Sequence, residues 1–131
     1  MKTETKHNIQ NVALVYLEQP SNNDDEVLEL YDLIRSAHGA VKLFCKLSRN
    51  TPDAKTLVGS GKVEEIKVAL QNLDCQINVV IFSQKLDSLQ RRNLTEALGA
   101  TVIDVVDLIL DIFALRATTA EGKKQVELAQ L

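Results

Sequence analysis

Continuous apolar runs alternate with amphipathic stretches along this chain. Residues 12–17, VALVYL, are apolar without a break, the pattern of a strand covered on both faces. Polar capping residues follow at 22–25. Val27, Leu30, Tyr31, Ile34 and Ala37 then recur at helical spacing, with Gly39 placed to end the helix. VKLFCKL, 41–47, alternates and carries two lysines, which predicts a second strand nearer a sheet edge with one wet face. After a polar loop at 48–55 containing Pro52, Thr56 to Val58 run into Gly59-Ser60-Gly61-Lys62. Val63, Ile66, Ala69 or Leu70, and Leu73 then mark a helix whose first turn is expected to hold Glu64 and Glu65, favourable near its positive dipole end. INVVIF, 77–82, reads as a strand. Asp87 and Gln90 have capping-box spacing ahead of a helix that buries Leu89, Leu94, Ala97 and Leu98 and stops at Gly99. TVID, 101–104, is a short last strand, and 105–117 returns to a helical pattern. Thr118 and Glu121 repeat the capping-box spacing and predict a new helix from Thr119. Its apolar stripe, ending on LAQL, has nothing after it to pack against, so the expectation is a piece of a longer protein.

Strands alternating with helices predict an α/β fold: a small open, mostly parallel sheet of about four strands with helices on both faces, followed by the start of a long helical hairpin. The 131 residues, 45% of them apolar, suit one domain with a proper core. The expected division is an extended or disordered lead at 1–11, the α/β domain at 12–117 and the opening of the hairpin at 118–131. In such sheets ligands gather at the carboxyl ends of the strands, here the loops after residues 17, 47 and 82.

Charge narrows the partners. A net charge of −3 and a pI near 5.4 argue against a dedicated nucleic-acid module, so any RNA contact must be local or assisted by other domains. The five aromatic residues form no interleaved basic–aromatic platform. Cys45 and Cys75 stand apart without a CxxC, and His7 and His38 are not spaced as ligands beside them, which leaves two core thiols. With a polar amino terminus and no run of about 18 apolar residues, neither a leader nor a membrane span is read, and the expected location is cytoplasmic.

The Gly59–Lys62 turn has the physics of an anion site, with backbone N–H groups ahead of a helix dipole. Its motif is incomplete. A Walker A loop needs GxxxxGK[ST], but Thr56 stands at the first glycine and Val63 at the hydroxyl position; a GxGxxG fails at Glu64. The alternatives are a plain strand-to-helix turn and a backbone surface for phosphate, RNA or a partner domain. Arg91 and Arg92, read as neighbours on the outer side of their helix, are a solvated pair or a phosphate contact. Asp104, Asp107 and Asp111 could gather as oxygen ligands for a divalent ion, or serve as caps; no metal site and no catalytic residue is assigned.

Three blocks, VGSGKVEEI (58–66), LQRRNLTEALGATVID (89–104) and LILDIFALRATTAEGKKQVELAQL (108–131), together resemble the amino-terminal domain of the HflX family of translation-associated GTPases. The resemblance covers about residues 12–131. It implies an α/β domain, a two-helix hairpin and then a P-loop G domain, in a protein that binds the large ribosomal subunit and its rRNA and takes part in ribosome splitting or rescue. The chain has no DxxG or NKxD, so this part is expected not to hydrolyse GTP; GTP and Mg2+ would belong to the missing G domain. The implied role is docking on the ribosome and on the protein's own G domain, through Arg49, Lys55, Lys62, Arg91, Arg92, Arg116, Lys123 and Lys124, with Gly59, Ser60 and Gly61 permitting close backbone approach. The alternative is a nucleotide-binding domain with a weak ATPase of its own, centred on the Gly59–Lys62 turn.

Overall fold

The computed structural model describes residues 9–18, 24–48 and 59–130, with Asp24, Ser48, Ser60 and 118–130 among them by backbone alone. The element order is β1 (Asn11–Glu18), α1 (Asp24–Ser36), β2 (Ala40–Ser48), α2 (Ser60–Gln71), β3 (Val79–Phe82), α3 (Ser88–Leu98), β4 (Thr101–Asp104) and α4 (Val105–Gln130). All the strand pairs are parallel, in the order β2-β1-β3-β4. The sheet and the helices on its two faces are those the alternating pattern predicts. VALVYL is an interior strand and VKLFCKL lies at an edge.

The period of two along β1 divides the core. Ala13, Val15 and Leu17 face a cluster completed by Val63 and Ile66 of α2 and Leu94 and Leu98 of α3. Val12, Leu14 and Tyr16 face the other cluster, with Leu30 and Ile34 of α1 and Leu108 and Ile112 of α4. Each face of the sheet is therefore sealed by two helices, and the interior of β1 can be apolar throughout. The fold starts before residue 12, because Ile9 is buried in the α1–α4 cluster and β1 begins at Asn11. The rest of the expected lead, residues 1–8, and most of the loop expected at 48–55 lie outside the described residues.

Several boundaries differ from the pattern. β3 starts at Val79 rather than Ile77 because Asn78 is engaged as a polar clasp. The Asn11 N–H donates to Asn78 Oδ1 at 3.1 Å, and the Asn78 N–H donates to the Asn11 carbonyl at 2.9 Å. α2 starts at Ser60 with Gly59 as its N-cap, so Glu64 and Glu65 fall in the second turn and its first turn holds no acidic side chain. Leu89, expected in the buried stripe of α3, is 46% exposed. α4 is one helix of 26 residues, and Thr118 lies in its interior rather than capping a new one. No proline or glycine falls between Val105 and Glu121, and the single Gly122 costs only about 1 kcal/mol in a helix interior.

α1 ends in a Schellman turn, where the Gly39 N–H donates to the Ile34 carbonyl at 2.9 Å and the His38 N–H to the Arg35 carbonyl at 2.9 Å. The left-handed residue is His38, with φ of 67°, not the glycine expected there. Gly39 is needed for space: a Cβ on it would lie 2.8 Å from Ile9 Cγ2 and 2.9 Å from Ile34 Cγ2. His38→Gly is expected to stabilise the chain by about 1 kcal/mol by relieving the left-handed strain of an exposed L-residue. A thermal or urea melt reads this, and an unchanged or lowered midpoint would contradict it.

α3 follows its sequence signature closely. The Gln90 N–H donates to Asp87 Oδ1 at 2.7 Å, the Asp87 N–H donates to Gln90 Oε1 at 3.1 Å, and Gly99 closes the helix at φ of 72°.

Candidate nucleic-acid and partner interface

At the start of α2, the Lys62 and Val63 N–H groups both donate to the Gly59 carbonyl, at 3.0 and 3.1 Å. Gly59 is extended (φ −65°, ψ 163°), and Gly61 and Lys62 already lie within the helix. Among the described residues, a Cβ built on Gly59 or Gly61 would meet nothing within 4 Å. The Lys62 ammonium sits 3.8 Å from Glu65 Oε2, one turn on, and Val63 is buried in the core. Three features of the described residues weigh against a triphosphate here. The lysine is drawn toward a carboxylate, Glu64 and Glu65 raise the negative charge beside it, and the residue at the magnesium-binding hydroxyl position points into the sheet's core.

The basic pair on α3 is split. Arg92 is exposed, but Arg91 is not on the outer side. Its Nη1 lies 2.9 Å from Asp107 Oδ2 and its Nη2 3.4 Å from Asp104 Oδ2, with Asp104 only 1% exposed. Asp104 Oδ2 also accepts from the Leu86 N–H at 2.8 Å. Its Oδ1 accepts from the Asp107 N–H at 3.0 Å, while Asp107 Oδ2 accepts from the Asp104 N–H at 3.2 Å. These two aspartates form a second, reciprocal capping box, at the head of α4. Arg91 therefore serves the interior, and two of the three aspartates, Asp104 and Asp107, are taken up by caps and a guanidinium, while Asp111 is buried on α4. Among the described residues no group of three or more His, Cys, Asp or Glu side chains is placed to hold a metal ion.

Arg116 is exposed on α4. Since α4 packs on the sheet face opposite α2 and α3, the described candidates are divided: Lys62 and Arg92 belong to one layer and Arg116 to the other. Arg49 and Lys55 lie outside the described residues, as do the side chains of Ser60, Lys123 and Lys124. Of the loops at the carboxyl ends of the strands, the one after Phe82 is described. There the Ser83 N–H donates to the Val15 carbonyl at 3.0 Å and its Oγ accepts from the Leu17 N–H at 2.9 Å, closing the edge between β1 and β3.

Cys45 and Cys75 are both free and half-buried; Cys45 packs against the α2–α3 side of the core, whereas Cys75, in the segment after α2, joins neither core cluster. Burial, reinforced by the negative charge of Glu65, pushes the Cys45 thiol up from its ordinary value. Its contribution to stability is therefore fully present below the ordinary thiol pKa and is lost as pH rises through the raised one. Cys45 is expected to react with iodoacetamide several-fold more slowly than a free thiol at pH 8. Mass spectrometry of the alkylated peptides checks this, and alkylation at the free-thiol rate would contradict it.

The open four-stranded parallel sheet with helices on both faces defines an α/β module. Residues 24–114 match the family described as GTP-binding GTPase N-terminal. The chain belongs to that family, the amino-terminal domain of HflX-type GTPases. It is 39% identical over 135 residues to the GTPase HflX of Alkalihalophilus pseudofirmus, a match covering 100% of the chain and 31% of that protein. With the GTPase HflX of Escherichia coli it shares 42% identity over 120 residues, 91% of the chain and 28% of that protein. Among solved structures it is similar to a GTP-binding protein from Sulfolobus solfataricus in complex with GDP. That similarity has a TM-score of 0.60 at 25% identity, over 82% of the chain and 31% of the other. The chain thus spans about a third of the length of the relatives it matches.

Proposed function

We propose that this chain is the ribosome-docking and regulatory module of an HflX-like GTPase. It contacts the large ribosomal subunit and its rRNA on one side and the G domain of the same protein on another, within a cytoplasmic protein that splits or rescues ribosomes. Membership of the family over residues 24–114 carries the reading. GTP and Mg2+ belong to the G domain, and this part contributes binding rather than chemistry. Residues 12–117 form the docking module. The helix that runs on through 118–130 opens the hairpin, whose return helix would cover Val106, Ile109, Leu110 and Phe113, four exposed apolar side chains on one stripe of α4. Coupling between ribosome and nucleotide would arise from differential contacts of this module in the two states.

The test is pelleting of the chain with large ribosomal subunits at low and moderate salt, with and without ATP. Salt-sensitive, ATP-independent binding is expected, and absence of binding at low salt would overturn docking by this module. Lys62→Ala, Arg92→Ala and Arg116→Ala should each flatten the salt dependence by about one unit, whereas Arg91, already paired inside, should leave it unchanged. A slope that moves for none of Lys62, Arg92 and Arg116 would remove RNA contact from these surfaces.

A further inference from the structure

α4 leaves the sheet without a linker: β4 ends at Asp104 and the helix begins at Val105. The direction of a 26-residue helix, about 39 Å long, is set at that junction and by the core packing of its first turns. One guanidinium closes over it. Arg91, carried by α3, bridges Asp104 at the end of β4 and Asp107 in the first turn of α4, while the buried Asp104 carboxylate also holds the Leu86 N–H of the loop before α3. The two aspartates hold each other's N–H groups.

We propose that Arg91, Asp104 and Asp107 form a rigid joint that fixes the angle of α4 to the sheet. A contact made along α4 is thereby transmitted to α3 and to the Ser83–Asp87 loop instead of being absorbed by bending at 104–105. This goes beyond the ribosome reading and holds whatever α4 meets. Leu108 and Ile112 also anchor the helix, but apolar contact is non-directional and tolerates sliding. A planar guanidinium holding two carboxylates from two elements fixes orientation as well as distance, and lysine, a single point charge, cannot replace it.

The test places nitroxide labels on the 131-residue chain through Glu96→Cys on α3 and Ala117→Cys on α4, in a Cys45→Ser, Cys75→Ser background, and reads the distance distribution by pulsed electron resonance. A single narrow distance is expected for the otherwise unaltered chain. Arg91→Lys and Asp107→Asn, which preserve most of the volume, should each widen it at least twofold in chains that still melt cooperatively. Widths unchanged in both folded variants would overturn the joint and leave packing alone to set the angle. Hydrogen exchange on the unaltered chain gives an independent reading. The Asp107 amide is expected to exchange as slowly as that of Ile103 in β4, and exchange at the rate of a frayed helix end would equally overturn the proposal.

Discussion

An Asp104→Ala chain is expected to unfold with about 3–5 kcal/mol less free energy than the parent, seen as a fall in the urea midpoint at unchanged slope. Three losses combine. The first is the cap of α4, worth about 1 kcal/mol. The second is the acceptor for the buried Leu86 N–H, which would then stand unsatisfied at a cost of about 1–3 kcal/mol. The third is one of the two carboxylates that compensate Arg91, whose side chain is only 35% exposed. A domain of this size has about 5–15 kcal/mol in total, so the variant approaches the limit of folding at physiological temperature. Asp104→Asn separates these terms. An amide oxygen can still cap the Asp107 N–H, but the amide nitrogen would then face two donors, Leu86 N and Arg91. The asparagine variant should lose less than alanine, about 2 kcal/mol. A loss below 1 kcal/mol for alanine would mean that neither the cap nor the buried N–H depends on this side chain.

Gly39→Ala is the second large effect, with an expected loss of about 1–3 kcal/mol from overpacking. The added methyl would meet Ile9 Cγ2 at 2.8 Å, Ile34 Cγ2 at 2.9 Å and Val12 Cγ2 at 3.1 Å. All three belong to stiff β-branched side chains in or beside the core, so none can swing away cheaply. Ile34→Ala, which removes the Cγ2 methyl itself, should make the double variant lose less than the sum of the two single losses. If Gly39→Ala melted at the parent temperature, α1 and β2 would have to be able to separate by a few tenths of an ångström without cost.

These two sites also show what the chain's pattern does and does not reveal. The interior strand, the edge strand and the capping box at Asp87 are legible because each rests on neighbours in sequence. The end of α1 is legible only as a place. A glycine beside an exposed histidine suggests that the glycine takes the left-handed conformation, but the methyl groups of Ile9, Ile34 and Val12, brought together by the fold, reserve the space at Gly39 and leave the turn to His38. Arg91 departs most from the outward placement expected of it, although helix geometry signals its position. On a helix it lies about 60° from Leu94, on the buried side, whereas Leu89 lies about 140° away. Adjacent arginines invite treatment as a pair, yet successive residues point about 100° apart and meet different surroundings. Asp104 and Asp107 have the spacing of a reciprocal cap, but nothing local reveals that a cation from the preceding helix would close over them. The basic residues proposed for docking are the least legible. Phosphate-binding lysines and arginines are surface residues with no periodicity, and the fold distributes the described ones over two layers.

The double burial of β1 has one further consequence. In a sheet with one wet face, a slip of one residue exposes apolar side chains and is rejected by water. Here a slipped β1 would still present apolar groups to both helical layers, so polarity offers little discrimination between registers. The discrimination comes from the two ends, where Asn11 and Asn78 clasp at the start of the strands and Ser83 takes the N–H of Leu17 at their finish. An apolar ribbon held between two polar stops has one alignment in which both stops engage. Asn78 and Ser83 thus work as alignment marks as well as hydrogen-bonding groups, and without them the strand could settle into mixed alignments while remaining compact.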